Sequence, residues 1–272
     1  MSDQKVVLIT GASSGVGQAT ARLLSQRDYK VFGTSRNPAR AEALPAVEML
    51  PLDVRQEDSV RACVAAVSAR GGRIDVLINN AGQELAGALE ELSSEEVRAQ
   101  FETNFFGAAR MISEVLPLMR RQKHGHIVNV TSLAGLAPIP FLGMYSAAKF
   151  ALEGYSEALA HEVQPFGIRV SLAEPWFLKT AMASNRQFAA NRIPDYDPWR
   201  QRALQAVRAH EENGPGPELV AKTLLQIVTS RSPRLRYQVG SRAKSIERLR
   251  RFLPAKVFFQ AARGTFSLDR TR

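Results

Sequence analysis

The stretch "MYSAAKF" (144–150) places Tyr145 and Lys149 four residues apart among small and apolar neighbours. On a helix, positions i and i+4 leave the same face, so the phenol and the ammonium can share one small site. A free phenol titrates near about 10. A neighbouring cation favours its phenolate, so the pair predicts a lowered pKa at Tyr145 and acid/base chemistry at neutral pH. A Tyr-x-x-x-Lys spacing is common by chance, and the elements that hold it decide what it means.

Those elements alternate. Short apolar, β-rich runs stand at "KVVLIT" (5–10), "KVFGT" (30–34), "VEMLPLD" (47–53), "IDVLIN" (74–79), "HIVNVT" (126–131), "IRVSLA" (168–173) and "LRYQVG" (235–240). All but the short gap before 47 are separated by enough chain for a crossover helix. Val16, Ala19, Leu23 and Leu24 make one apolar helix stripe between the first two runs. The pattern predicts an α/β protein: a doubly wound parallel sheet of about seven strands with helices on both faces. We expect one domain over 1–272, with a substrate lid at about 176–215 and a basic tail at about 241–272. "NGPGPE" (213–218) reads as a loop and not as a domain linker.

The first run leads into "TGASSGVGQAT", with Gly11, Gly15 and Gly17 at the strand-to-helix turn. Glycines there let the backbone approach a pyrophosphate, and the helix terminus offers N–H donors to it. The spacing is G-x-x-x-G-x-G. After the second run come Ser35 and Arg36, with no acidic side chain in the place that usually holds a ribose 2′-hydroxyl. A guanidinium suits a 2′-phosphate, so NADP(H) is the preferred cofactor and NAD(H) the alternative.

The bulk composition excludes several classes. No window approaches the roughly 18 apolar residues of a bilayer span, and "MSDQKVVLIT" has no basic region followed by an apolar stretch. A cytoplasmic protein is expected. The lone Cys63 reads as core, and His124, His126, His161 and His210 lack metal-ligand spacing, so no metal site is expected. The net charge is +10, yet residues 231–272 hold 12 Lys/Arg against 2 Asp/Glu, which leaves the first 230 residues with 24 of each sign. A basic tail on a neutral body argues against a nucleic-acid partner.

Taken with their order and spacing, "TGASSGVG" (10–17), "LDV" (52–54), "NNAG" (79–82), Asn104 in "TNFFG", Ser132 in "VTSLAG", "YSAAK" (145–149) and "EPWFLKT" (174–180) resemble the short-chain dehydrogenase/reductase family. The match covers roughly residues 5–180. "TSRNP", "QELAG" and the acid before Pro175 are similar to the branch of 17β-hydroxysteroid and retinol dehydrogenases. The resemblance implies a Rossmann-type fold and hydride transfer between a ketone or aldehyde and an alcohol, with four catalytic positions. Tyr145 would be the acid/base, and Lys149 would lower its pKa and hold the nicotinamide ribose. Ser132 would polarise the substrate oxygen, and Asn104 would hold a water that links Lys149 to solvent. Cofactor contacts carry over to Gly11, Ser13, Ser14, Gly15, Val16, Gly17, Ser35, Arg36, Asp53, Val54, Asn79, Ala81, Gly82, Tyr145, Lys149, Pro175, Trp176 and Thr180, with Asp53 accepting from the adenine amine. Rival readings are a dinucleotide-sensing binding protein, whose relatives generally lose the tyrosine or lysine, and a membrane-surface lipid reductase.

On the substrate side, Phe177, Met182, Phe188, Tyr196 and Trp199, with Phe141, Leu142 and Met144, are candidates for an apolar pocket and a steroid, retinoid or acyl-type substrate. Arg186, Arg192, Asp195 and Arg200 keep polar or acyl-carrier substrates in view. Phe101, Phe105, Phe150, Leu152, Tyr155 and Leu159 are candidates for a subunit interface, since family members pair across these helices as homodimers or homotetramers. The tail "SIERLRRFLPAKVFFQAARGTF" mixes Ile246, Leu249, Phe252, Leu253, Val257, Phe258 and Phe259 with arginines, which suggests peripheral contact with an anionic membrane or an acidic partner. At Trp176 the chain departs from the family's Pro-Gly pair, and the indole is expected to constrict the site.

Overall fold

A computed structural model describes residues 4–240 and 243–269; residues 1–3, 241–242 and 270–272, which include both ends of the expected tail, lie outside the described residues. In chain order the elements are β1 (Lys5–Ile9), α1 (Gly15–Ser25), β2 (Tyr29–Ser35), β3 (Val47–Pro51), α2 (Glu57–Gly71), β4 (Val76–Asn79) and β5 (Leu85–Ala86). Then follow α3 (Ser94–Phe101), α4 (Gly107–Gln122), β6 (Gly125–Val130), α5 (Gly143–Val163), β7 (Ile168–Pro175), α6 (Ala181–Ser184) and β8 (Gln187–Phe188). The chain closes with α7 (Asp197–Glu212), α8 (Glu218–Thr229), β9 (Arg236–Val239), α9 (Ala243–Phe252) and α10 (Ala255–Thr265).

All seven expected runs become strands of one parallel sheet in the order β3-β2-β1-β4-β6-β7-β9. Their near-continuous apolar character follows from burial on both faces. One face packs on Val60, Val64, Met111, Val115 and Leu159, from α2, α4 and α5. The other packs on Ala21, Leu24, Val220, Leu224 and Ile227, from α1 and α8. The order reverses between β1 and β4, which opens a crevice at the carboxyl ends of these strands.

Two expectations change here. The buried side of α1 is Gly17, Thr20, Ala21 and Leu24, while Val16, Ala19 and Leu23 are only half-buried. Small residues face inward because α1 packs closely on its strand and on α8. Leu152 and Leu159 lie in the core and cannot form a subunit surface. The aromatic part of that candidate face stays outside: Phe105 meets Phe101 at 6.4 Å, Phe106 at 5.1 Å and Tyr155 at 5.8 Å between ring centres, and Phe106 is exposed.

The segment expected to form the lid contains α6, β8 and α7. β8 pairs with β5 through Gln187 N to Glu84 O at 2.9 Å and Ala189 N to Ala86 O at 2.8 Å, which fastens the lid to the body. A third apolar cluster joins Ala86, Ile139, Phe177, Ala203 and Val207 to Phe266 and Leu268, so the stretch just after α10 packs against this segment. Ahead of it, Phe252 and Phe259 remain 76% and 63% exposed among arginines. Among the described residues no helix is long and apolar enough to cross a membrane.

Candidate active site

At the end of β1, Gly11 (φ +67°) and Gly15 (φ +54°) take left-handed backbone that side chains disfavour. A Cβ at Gly17 would collide with the Gly11 carbonyl oxygen, which is why α1 can start so close to the loop. Asn80 fixes the loop from β4: its Nδ2 donates to the carbonyls of Thr10 and Gly11, both at 3.0 Å. The Thr10 hydroxyl accepts from the Asn80 and Ala81 amides at 2.9 and 3.0 Å. The Ser14 side chain makes no cap on α1, so the first amides of that helix are left for an anion.

The loop opens into a cavity of about 580 Å³. Of the expected residues, Gly11, Ser13, Ser14, Gly15 and Val16 line its end at the glycine loop, and Ser35, Arg36, Asp53 and Val54 its far rim. Ala81 and Gly82 form the floor beyond β4, and Pro175, Trp176 and Thr180 border it after β7. Ser132, Tyr145 and Lys149 line the inner end. Gly17, Asn79 and Asn104 do not line it. Asn79 points the opposite way from Asn80, as successive strand residues must, and its Nδ2 donates to Asn129 Oδ1 at 2.9 Å, with Asn129 donating to Ser156 Oγ at 2.8 Å. Gly17 serves packing. Asn104 is buried in a π-helical turn, Glu102–Phe106, between α3 and α4. Its Oδ1 accepts from the Gln83 amide and its Nδ2 donates to the Gln83 carbonyl, both at 2.8 Å, so its side chain braces the cavity floor.

Asp53 has a partner within the chain that sequence reading did not foresee. Its carboxylate accepts from the Arg55 guanidinium at 2.9, 3.1 and 2.6 Å and from the Arg55 amide at 3.0 Å. The Arg55 hydrogen bonds hold its carboxyl below the usual range despite partial burial. This end of the cavity therefore carries two guanidiniums, Arg36 and Arg55, against one carboxylate.

α5 presents Tyr145, Lys149, Leu152 and Glu153 on its buried side. Lys149 Nζ lies 5.8 Å from the Tyr145 ring centre and donates to the Val130 carbonyl. Burial lowers its pKa to about 8, against the pull of Glu153 and Glu84. The expected lowering at Tyr145 is not found. Burial and then Glu84 push the phenol above its ordinary value, with Glu211 adding to the effect, while the Ser132 hydroxyl and Arg186 pull it down. Desolvation of the charged form outweighs the helix neighbour. Ser132 Oγ itself accepts from the Ala134 amide at 3.1 Å, capping the short turn after β6.

On the substrate side, Phe177 and Met182 line the cavity, with Ile139 and Trp176, whereas Phe141, Leu142, Met144, Phe188, Tyr196 and Trp199 do not. Phe188 is exposed, and Tyr196 turns outward to pair with Phe141 and to donate to Glu90 at 2.7 Å. Arg192 and Arg200 fasten the lid through Asp197 and Glu91. Arg186 instead joins two cavity-lining acids that sequence reading missed, Glu84 and Glu211. Cys63 is buried, its thiol pushed up to about 11 by burial. Among the described residues no group of His, Cys, Asp or Glu is arranged to hold a metal ion.

Comparison with known proteins adds an independent line. A family model described as short chain dehydrogenase matches residues 5–190. The chain is 44% identical over 238 residues to a 3-ketodihydrosphingosine reductase of Bacteroides thetaiotaomicron, covering 87% of this chain and 88% of the relative. It is 38% identical to retinol dehydrogenase 8 of Bos taurus, covering 88% and 82%, and 36% identical to human 17-beta-hydroxysteroid dehydrogenase type 1, covering 90% and 80%. Among solved structures, a short-chain dehydrogenase from Streptomyces avermitilis superposes with a TM-score of 0.82 at 33% identity, covering 97% and 99% of the two chains. A short chain dehydrogenase/reductase from Burkholderia phymatum in complex with NAD gives 0.78 at 27% identity, covering 95% of each. ElxO with NADP bound gives 0.73 at 25% identity, covering 89% and 99%.

Proposed function

Because the chain belongs to the short-chain dehydrogenase family, on its retinol- and steroid-dehydrogenase-like side, we propose that it interconverts a lipophilic ketone or aldehyde and its alcohol with NADP(H). The observation that carries this reading is the convergence of Tyr145, Ser132 and Lys149 on the cavity that starts at the uncapped end of α1. The glycine cradle, the open amides of α1 and the cavity's reach to Tyr145 fit a nicotinamide dinucleotide, which supplies or takes up the hydride when bound.

The chain's own residues supply the rest. Gly11, Ser13, Ser14, Gly15 and Val16 take the pyrophosphate. Ala81, Gly82, Pro175, Trp176 and Thr180 border the nicotinamide half. Ser132 donates to the substrate oxygen as charge gathers there. Tyr145 delivers the proton at Oη in reduction and withdraws it in oxidation. Burial and two carboxylates keep the phenol of the free site protonated, the form from which reduction starts. Lys149 holds the ribose and carries the local positive charge. Asn104 keeps Gln83 and the floor in place.

Arg36 and Arg55 against the single Asp53 support a 2′-phosphate, hence NADP(H) over NAD(H). Ile139, Trp176, Phe177 and Met182 support a lipophilic substrate, as do relatives named for ketodihydrosphingosine and retinol. We further place the protein in the cytoplasm as one domain over 1–272, with residues 176–215 covering the substrate. A second copy would cover Phe101, Phe105, Phe106 and Tyr155, giving a homodimer or homotetramer, and the tail would touch anionic membrane. The dinucleotide-sensor reading would be favoured by loss of Tyr145 or Lys149, and both stand in the cavity.

The test is a panel of long-chain, steroid and retinoid ketones and alcohols with NADPH and NADH, run beside Tyr145→Phe. Turnover that falls at least about a hundredfold in the variant supports the reading; equal turnover removes Tyr145 from the mechanism.

A further inference from the structure

Glu174, the acid before Pro175, is fully buried near the end of β7 and does not line the cavity. Its carboxylate accepts from Gln238 Nε2 at 2.9 Å and from Arg236 Nη1, both on β9. Arg236 Nη1 also donates to Glu153, and its Nη2 donates to Glu157 at 2.6 Å, the two acids standing one turn apart on α5. Glu153 is buried, whereas the Glu157 side chain is 52% exposed. One guanidinium thus joins β7, β9 and α5 and leads from the core to the surface. The buried charges do not balance among these residues: Glu153 and Glu174 stand against Arg236, which Glu157 draws on as well. Surplus buried charge is costly unless another cation meets it.

Lys149 lies one helical turn before Glu153 on the same buried side of α5. The short turn Leu133–Gly135, which follows Ser132, rests on the helix at these two residues. A Cβ at Gly135 would fall 2.9 Å from Glu153 Cγ and 3.1 Å from the Lys149 carbonyl oxygen, so no side chain fits between turn and helix. The Val130 carbonyl that accepts from Lys149 is neutral and supplies no counter-charge. Of the two acids that favour the charged lysine, Glu153 acts more strongly than Glu84, which is bound to Arg186. Burial, then Glu174, raise the Glu153 pKa to about 7, with Thr131 and Arg236 opposing them. Its carboxylate therefore forms just below the pH of about 8 at which Lys149 loses its proton. The other titratable groups at this end are Tyr145 on α5 and, acting on the phenol, Glu211 with Arg186.

We infer that Glu153 is a positioning residue for the reaction: it supplies the counter-charge that keeps Lys149 an ammonium, and Arg236 with Glu174 holds it in place. This rests on the carbonyl chemistry proposed above, in which the charged lysine serves Tyr145. The acid before Pro175 then acts on the site from behind the sheet edge of the cavity, without touching substrate or cofactor.

Two measurements are paired. In steady-state ketone reduction with NADPH, the pH at which kcat/KM falls on the alkaline side is compared between wild type and Glu153→Gln. The variant's limb is expected to lie lower by about one unit, the usual effect of losing a close opposite charge, with the two profiles converging on the acid side. Glu153→Asp, which keeps the charge, is expected to move the limb back toward wild type. Arg236 retains Glu174 and Glu157 in these variants, so no guanidinium is stranded; Glu153→Met provides a second neutral variant if the first unfolds. Separately, the protein is labelled with carbon-13 at the lysine Cε and titrated by NMR without cofactor, the Lys149 signal being the one lost in Lys149→Met. Its midpoint is expected near about 8 in wild type and about one unit lower in the neutral variant.

A limb and a midpoint that stay in place in the neutral variant overturn the inference while leaving the carbonyl reading intact. The same holds for a rate lowered equally at every pH, which would make Glu153 a brace between α5 and β9 and nothing more. If no carbonyl compound turns over but the Lys149 midpoint still moves in the variant, the carbonyl reading fails and the counter-charge stands.

Discussion

The Lys149 ammonium donates to the carbonyl oxygen of Val130, the last residue of β6, at 2.9 Å. That bond ties the middle of α5 to the sheet edge of the cavity and fixes where the buried cation sits relative to Tyr145.

Burial places the Lys149 pKa at about 8, so the group is charged below that pH and neutral above it. In carbonyl reduction, kcat/KM, which reports the free enzyme, should fall as pH rises through about 8. The Lys149→Met variant should be slower and lack that limb. A wild-type profile that stays level to pH 10 would remove the charged lysine from the rate.

Arg36 stands on the exposed rim with Ser35, and Arg55 occupies Asp53. Arg36→Asp replaces a phosphate partner with a ribose acceptor and a repulsive charge. The ratio of kcat/KM for NADPH over NADH should invert, by at least about tenfold in total. A wild type that already favours NADH would show the assignment to be wrong.

His126 is buried on β6 with its Nε2 3.0 Å from Ser171 Oγ. Burial, then Arg169 and Lys5, lower its pKa to about 4. The unfolded chain takes up this proton near pH 6.5 and the folded chain only near 4, so stability from this group is complete above about 6.5 and lost as pH falls toward 4. The loss is about 2–3 kcal/mol by pH 4.5. Urea unfolding at pH 7.5 and 4.5 should show a smaller acid loss in His126→Gln; equal losses would place the acid sensitivity elsewhere.

Leu249, Phe252, Val257 and Phe259 are exposed on α9 and α10 beside Arg248, Arg250 and Arg251. Full-length protein should float with vesicles containing anionic lipid and release as salt screens the charge. Phe252→Ser together with Phe259→Ser should weaken binding at least about tenfold. Flotation that is the same for neutral and anionic vesicles, or for both proteins, would end the membrane assignment. These substitutions leave Phe266 and Leu268 untouched beneath the lid, so folding is preserved better than by truncation.

Trp176 reaches from the end of β7 into the wall shared by lid and tail. Its ring centre lies 4.5 Å from Phe177 and 6.1 Å from His210, and Phe177 stacks on His210 at 5.2 Å. Trp176→Gly should raise kcat/KM for a bulky ketone relative to a small one, by at least about fivefold, since even one methylene of fit is worth roughly 1–3 kcal/mol. Parallel values for both substrates would mean that the indole only anchors the lid.

Local pattern carried most of the frame. Strands buried on both faces read as apolar runs, so β1, β2, β4, β6 and β7 were legible, and the glycine loop announced the crevice at their ends. What depended on direction was less so. Asn79 and Asn80 are neighbours in sequence but face opposite sides, and only Asn80 holds the loop. Phe188 and Tyr196 are apolar in composition yet turn away from the cavity, because the lid needs an outer face as well as an inner one. Glu84, Arg186 and Glu211 lie 102 and 25 positions apart, and no spacing rule joins them. For the same reason, sequence reading saw the lysine four residues from Tyr145 but not the acids that act on the phenol from elsewhere.

The π-helical turn at Glu102–Phe106 gives the long segment from Ser94 to Gln122 two rotational phases. An α-helix advances about 100° per residue, and the extra residue in a π turn sets everything after it back by about that angle. α3 and α4 are therefore one rod with an offset, and a single periodic template drawn across both must fail on one side. Losing one residue between Glu102 and Phe106 would leave a regular helix of nearly the same length. It would also swing either Gln100 and Asn104 away from Gln83 or Met111 and Val115 away from the sheet. The segment is expected to bear substitution on its outer face better than the loss of one residue.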